Sequence, residues 1–103
     1  MYGVQRVETE KLEKQCHEVA ALLKAMSHPQ RLMIMCYLAE GEKNVSEILE
    51  LCQISQSQMS QFLNRMQREK LLKMRKEGNF SYYSVSNPKV LSLLKSLQKS
   101  FCF

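Results

Sequence analysis

Four cysteines (Cys16, Cys36, Cys52 and Cys102) and two histidines (His17 and His28) carry the most versatile chemistry in this 103-residue sequence. In a secreted chain four cysteines suggest two bridges; in a reducing compartment they read as free thiols, metal ligands or redox switches. The opening stretch MYGVQRVETEKLEKQ has no apolar core of signal-peptide length, and no apolar run is long enough to cross a bilayer. The expectation is therefore a cytoplasmic protein without membrane contact, and the second group of readings for its thiols. His17 beside Cys16 makes a poor metal pair, because adjacent residues on a helix point in different directions. Enzymatic chemistry finds no support: there is no nucleotide-binding glycine loop, no Ser/His/Asp constellation and no carboxylate pair in a plausible cleft. A Cys/His hydrolase would need a pocket that a chain this small cannot build.

A second set of residues suits recognition. Between Gln56 and Glu69, Met59, Phe62, Leu63 and Met66 recur on one side of a helix, while Ser57, Gln58, Ser60, Gln61, Asn64, Arg65 and Arg68 line the other. Ser55 supplies its N-cap. Such a polar face is equally an ordinary solvated surface, yet Ser, Gln, Asn and Arg are also the side chains that bond base edges and phosphates. The charge is uneven. Residues 1–52 carry six Lys/Arg against eight Glu, residues 53–83 six against two, and residues 84–103 three against none. A basic second half suits a polyanion such as DNA.

The elements that must position these residues follow from pattern. Leu12, Cys16, Val19, Ala20, Leu22, Leu23 and Met26 predict an amphipathic first helix from Thr9 to Met26, with Glu10 and Glu13 near its favourable N-terminal end. Ser27-His28-Pro29 interrupts it. A second helix, Arg31 to Ala39, is apolar around nearly its whole circumference, as in a helix packed on several sides, and Gly41 stops it. VSEILELC, with Ile48, Leu49 and Cys52 on its apolar side, forms a short third helix, and Gln53-Ile54-Ser55 is a tight break before the polar helix. Two short helices joined in this way form a helix-turn-helix.

Leu72–Lys76 and Phe80–Val85 are strand-like around Glu77-Gly78-Asn79, a β-hairpin that reads as a wing. Asn87-Pro88 then opens a last helix bearing Val90, Leu91, Leu94, Leu97 and Phe101. The expected fold is mainly α with a β-hairpin, a single dimeric winged helix-turn-helix domain over residues 1–103. Residues 45–70 form the helix-turn-helix, 72–85 the wing, and 9–26 and 88–102 the dimerisation helices. A domain this small buries a modest core, so surplus apolar helix surface calls for a second subunit. Cys16 and Cys52 fall on apolar helix sides and read as core, as do Met26, Met33, Met35, Met59 and Met66.

The stretches LLKAMSHPQRLMIMCYLAEGEKNVSEI and ISQSQMSQFLNRMQREKLLKMRKEGNFSYYSV resemble regulators of the ArsR/SmtB type, over roughly residues 19–102. The resemblance implies that Ser57, Gln58, Ser60 and Gln61 face the major groove of double-stranded DNA at a pseudo-palindromic operator. It sets Arg65 near the backbone, and Lys76, Gly78 and Asn79 at the minor groove. Gln61 stands where many members have histidine, and glutamine can pair with adenine through two hydrogen bonds.

The family's metal sites do not carry over. Asn44-Val45-Ser46 lacks the Cys-x-Cys of the arsenic and lead type, and Lys89 to Phe101 lacks the Asp and His of the zinc and nickel type. No metal or cofactor is expected. Cys36 in IMCYLAEGE and Cys102 in the terminal Ser-Phe-Cys instead resemble the dithiol branch, the persulfide- and redox-sensing proteins of the SqrR, BigR and HlyU-like kind. That resemblance implies a homodimeric repressor whose operator affinity falls when the two thiols are bridged. The alternatives are a constitutive or anti-repressor DNA-binding regulator with structural cysteines, and a thiol-metal sensor.

Overall fold

The computed structural model describes the backbone of residues 6–101 and the side chains of residues 8–101. Helix α1 spans Arg6–Met26, α2 Pro29–Leu38, α3 Val45–Leu51, α4 Gln56–Arg68 and α5 Pro88–Phe101. Strands β1 (Lys43–Asn44), β2 (Leu72–Glu77) and β3 (Phe80–Val85) form one antiparallel sheet in the order β1-β3-β2. The winged helix-turn-helix expected from the sequence is present, with a sheet one strand larger than the expected hairpin. Lys43 pairs with Tyr83 and Asn44 with Tyr82, which ties the start of α3 to the wing.

Several boundaries differ from expectation. α1 begins at Arg6 rather than Thr9, so its first turn carries Glu8, and Glu10 and Glu13 lie further along the helix. α2 begins at Pro29 rather than Arg31, because His28 caps it: Nδ1 of His28 accepts the Gln30 backbone N–H at 3.2 Å. α2 ends at Leu38, one residue early, and α4 ends at Arg68 with Glu69 as its cap. The wing turn is two residues, Gly78-Asn79, since Glu77 pairs with Phe80. Gly78 has φ +62°, and a positive φ at the first central position is what a type II′ hairpin turn asks of glycine.

The core gathers Ile34, Met35 and Leu38 of α2, Ile48 of α3, Met59, Leu63 and Met66 of α4, Leu71 and Leu72, Tyr83 of β3, and Val90 and Leu94 of α5. Cys52 is buried among them, as expected. Two thiol and methionine expectations fail. Cys16 is exposed rather than core, because residues 8–21 of α1 are all exposed and α1 packs on the domain only through its C-terminal end. Met33 is exposed because α2 is not buried all round; Arg31, only 7% exposed, is its one buried polar residue.

Candidate nucleic-acid interface and thiol site

α3 and α4 are each started by side chains that replace missing helical hydrogen bonds. The Asn44 side chain accepts the Glu47 N–H, and the Glu47 carboxylate accepts the Asn44 N–H, both at 2.9 Å, a capping box. Its signature, Asn followed three residues later by Glu, is present in the sequence but was not part of the expectation. Ser55 Oγ accepts the Gln58 N–H at 3.1 Å, as its N-cap position predicts.

With Met59, Leu63 and Met66 buried, α4 is fixed in rotation, and Ser57, Gln58, Ser60, Gln61, Asn64, Arg65 and Arg68 are all exposed. The structure thus brings the predicted helix residues onto one open face. Lys76, Gly78 and Asn79 are exposed together at the far end of the hairpin. Arg75 is committed elsewhere. It donates Nε to Glu42 at 2.9 Å and Nη1 to Glu77 at 2.6 Å, and its guanidinium lies 4.5 Å from the Tyr82 ring centroid. Glu42 and Glu77 hold the Arg75 charge and push its pKa up, and the Arg75 hydrogen bond draws that of Glu42 down.

Behind the exposed polar face of α4 lies an ionic network that the sequence reading missed. Arg31 donates Nη1 to the Ala25 carbonyl at 2.7 Å and Nη2 to Glu69 at 3.3 Å, while Arg65 donates Nε to the same Glu69 carboxylate at 2.9 Å. Burial pushes the Glu69 carboxyl up, but the hydrogen bonds from Arg65 and Arg31 outweigh it and hold the pKa below its ordinary value. The network links the α1–α2 junction to the end of α4. A lone arginine inside an otherwise apolar run was the signal available for it.

Cys36 is 8% exposed on α2 and borders a cleft of about 520 Å³ lined by Pro29, Leu32, Met33, Tyr37, Glu40 and Gln98. Gln98 of α5 donates Nε2 to the Cys36 carbonyl at 3.2 Å. Burial pushes the Cys36 thiol above its ordinary pKa, and Gln98 pulls less strongly the other way. Cys102 lies outside the described residues, four positions beyond Gln98 in the sequence. Among the described residues no group of three or more His, Cys, Asp or Glu could hold a metal ion, and no helix is long and apolar enough to cross a membrane.

Comparison with known proteins agrees with this architecture. The profile of bacterial regulatory proteins of the arsR family matches residues 28–74, from the α2 cap into β2. The transcriptional activator HlyU of Vibrio cholerae is 33% identical over 93 residues, covering 90% of this chain and 86% of the relative. The biofilm growth-associated repressor of Xylella fastidiosa is 37% identical over 93 residues, covering 90% and 82%. The solved structure of reduced HlyU from Vibrio cholerae superposes with a TM-score of 0.84 at 33% identity, covering 91% of this chain and 99% of that one. An exposed Ser/Gln/Arg face on the capped second helix of the pair, a wing beside it, and likeness to such regulators over most of both chains lead to one conclusion: the chain is a DNA-binding transcriptional regulator of the ArsR family, in its HlyU/BigR-like branch, and not an enzyme.

Proposed function

We propose that this regulator is a homodimeric, cytoplasmic repressor at a pseudo-palindromic operator, and that its affinity falls when Cys36 and Cys102 are bridged by a reactive sulfur species or an oxidant. Ser57, Gln58, Ser60 and Gln61 read the major groove, Arg65 meets the backbone, and Lys76, Gly78 and Asn79 enter the minor groove. The observation that carries the thiol half is the Gln98 hydrogen bond, which holds α5 against the backbone of Cys36. A bond between Cys36 and Cys102 therefore acts on the contact between α2 and α5. That a relative is described in a reduced form fits a family in which thiol state matters.

With glutathione persulfide the chemistry balances without a cofactor. The Cys102 thiolate attacks the outer sulfur of the persulfide, forming Cys102–S–SH and releasing glutathione. The Cys36 thiolate then attacks the inner sulfur, forming the disulfide and releasing hydrogen sulfide, so two electrons pass from the protein thiols to the persulfide. Cys36 is assigned the second step because it is only 8% exposed, and intramolecular attack needs no access for an outside persulfide. Bridging shifts α5, alters the dimer and moves the two α4 helices out of step with successive major grooves.

The test is fluorescence anisotropy on the upstream DNA at one salt concentration, before and after anaerobic glutathione persulfide. A loss of about 5- to 150-fold, the usual range of such coupling, is expected. It should reverse with dithiothreitol and be absent in Cys36→Ser and Cys102→Ser. Unchanged tight binding would overturn the thiol switch and leave a constitutive regulator. Absence of binding by the reduced protein would overturn the operator assignment.

A further inference from the structure

Resting on the DNA-binding reading, we infer that the DNA surface extends past α4 and the wing into the cleft between the α1–α2 junction and α4. There Lys24 and His28 hold a backbone phosphate of the operator. The cleft measures about 440 Å³, and Lys24, His28, Arg31, Gln58, Gln61 and Arg65 line it. All six side chains can donate hydrogen bonds. The Glu69 carboxylate beside Arg31 and Arg65 is already shared by those two guanidinium groups. Lys24 is exposed and, among the described residues, its ammonium has no carboxylate within ion-pair distance.

His28 is oriented for the same task. Its Nδ1 accepts the Gln30 N–H, so the neutral ring carries its proton on Nε2 and offers a donor there. The ring is steadied against Phe62 of α4, with centroids 5.3 Å apart. A cluster of donors with its carboxylate neutralised calls for an anion with several acceptor oxygens, and a phosphodiester has that form. Gln58 and Gln61, assigned to the major groove, form one wall, and a helix in that groove is flanked by sugar-phosphate backbone.

The experiment compares wild type, Lys24→Gln, Lys24→Arg and His28→Asn, the last retaining a capping side chain, with folding checked by circular dichroism. Operator and nonspecific DNA affinities are measured from low to high salt. Loss of one phosphate contact lowers the slope of log K against log salt by about 0.9 per half-site, roughly tenfold in affinity near 0.1 M salt. Lys24→Gln should show that loss with the operator-to-nonspecific ratio unchanged, Lys24→Arg should restore the slope, and His28→Asn should weaken binding in the same sequence-independent way. Neutral methylphosphonate linkages walked along the operator should expose one position per half-site that weakens wild type but not Lys24→Gln. An unchanged slope in Lys24→Gln, or no such linkage, overturns the phosphate seat. All variants should keep the wild-type response to persulfide. A wild type that binds DNA while Lys24→Gln loses nothing removes this inference alone, whereas a wild type that binds no DNA removes the reading beneath it as well.

Discussion

Glu69 is where a single side chain couples stability to the proposed DNA contact of Arg65. It neutralises buried Arg31 and at the same time holds Arg65, whose own side chain is 66% exposed on the outer face of α4. Glu69→Gln leaves Arg31 with the Ala25 carbonyl and without an anionic partner, a change expected to cost about 1.5–3 kcal/mol, the range for hydrogen bonds to charged groups. Arg65→Ala removes only a surface pair and should cost no more than about 1 kcal/mol. Urea denaturation of the two variants checks the contrast; equal losses would show that Arg31 does not depend on Glu69. The pH dependence has a defined sign. Because the folded protein holds the Glu69 pKa below its unfolded value, the ionised network stabilises above the ordinary carboxylate range. That contribution fades as pH falls through the depressed folded value, so the gap between wild type and Glu69→Gln should narrow in acid. A gap that widens in acid would contradict the assignment.

At the scale of the element, α4 closes in a way its composition conceals. Lys70 has φ +63°, its N–H donates to the Gln67 carbonyl at 3.0 Å, and the Leu71 N–H donates to the Met66 carbonyl at 2.9 Å. This is the Schellman arrangement, with Leu71 and Met66 both fully buried beside it, but lysine occupies the left-handed position that usually belongs to glycine. Lys70→Gly is therefore expected to stabilise by about 0.5–1 kcal/mol, the relief of the left-handed strain less the added chain entropy. In calorimetry at fixed protein concentration this should appear as a rise in Tm of a few degrees, and a fall would refute the strain. The same helix shows what local pattern can reveal. Its start at Ser55 and its buried Met59, Leu63 and Met66 are legible because a cap and a 3.6-residue period are written into adjacent residues. Its lysine-bearing stop is not, and neither is β1, whose two residues are strand only by virtue of pairing with Tyr82 and Tyr83 some forty positions away. Arg31 and Glu69, 38 residues apart, meet only once the fold is made.

For the molecule as a whole, the decisive feature is apolar helix surface that stays exposed among the described residues of one chain. The radius of gyration is 16.1 Å against about 13 Å for a compact chain of this length, and the longest extent is 55 Å. Leu12, Val19 and Leu23 are 56%, 48% and 49% exposed, and Phe101 at the end of α5 is 71% exposed. Leu12, exposed Cys16, Val19 and Leu23 recur at intervals of four, three and four residues, the spacing of a seam between helices. The sequence marked this face as apolar and so placed Cys16 in a core. Periodicity identifies which side of a helix is buried, not whether the cover comes from the same chain. A second copy fits the stripe, since a two-fold axis would also present two α4 helices to successive grooves. Val19→Glu with Leu23→Glu tests it, because in the protomer neither residue is buried and the substitutions leave the described core untouched. In light scattering the wild type should run near 24 kDa, twice the 12.1 kDa chain, and the double variant as the monomer. The variant should also lose the cooperative occupancy of two half-sites. A wild type that is monomeric at micromolar concentration would refute the dimer, and a double variant that stays dimeric would move the interface off α1.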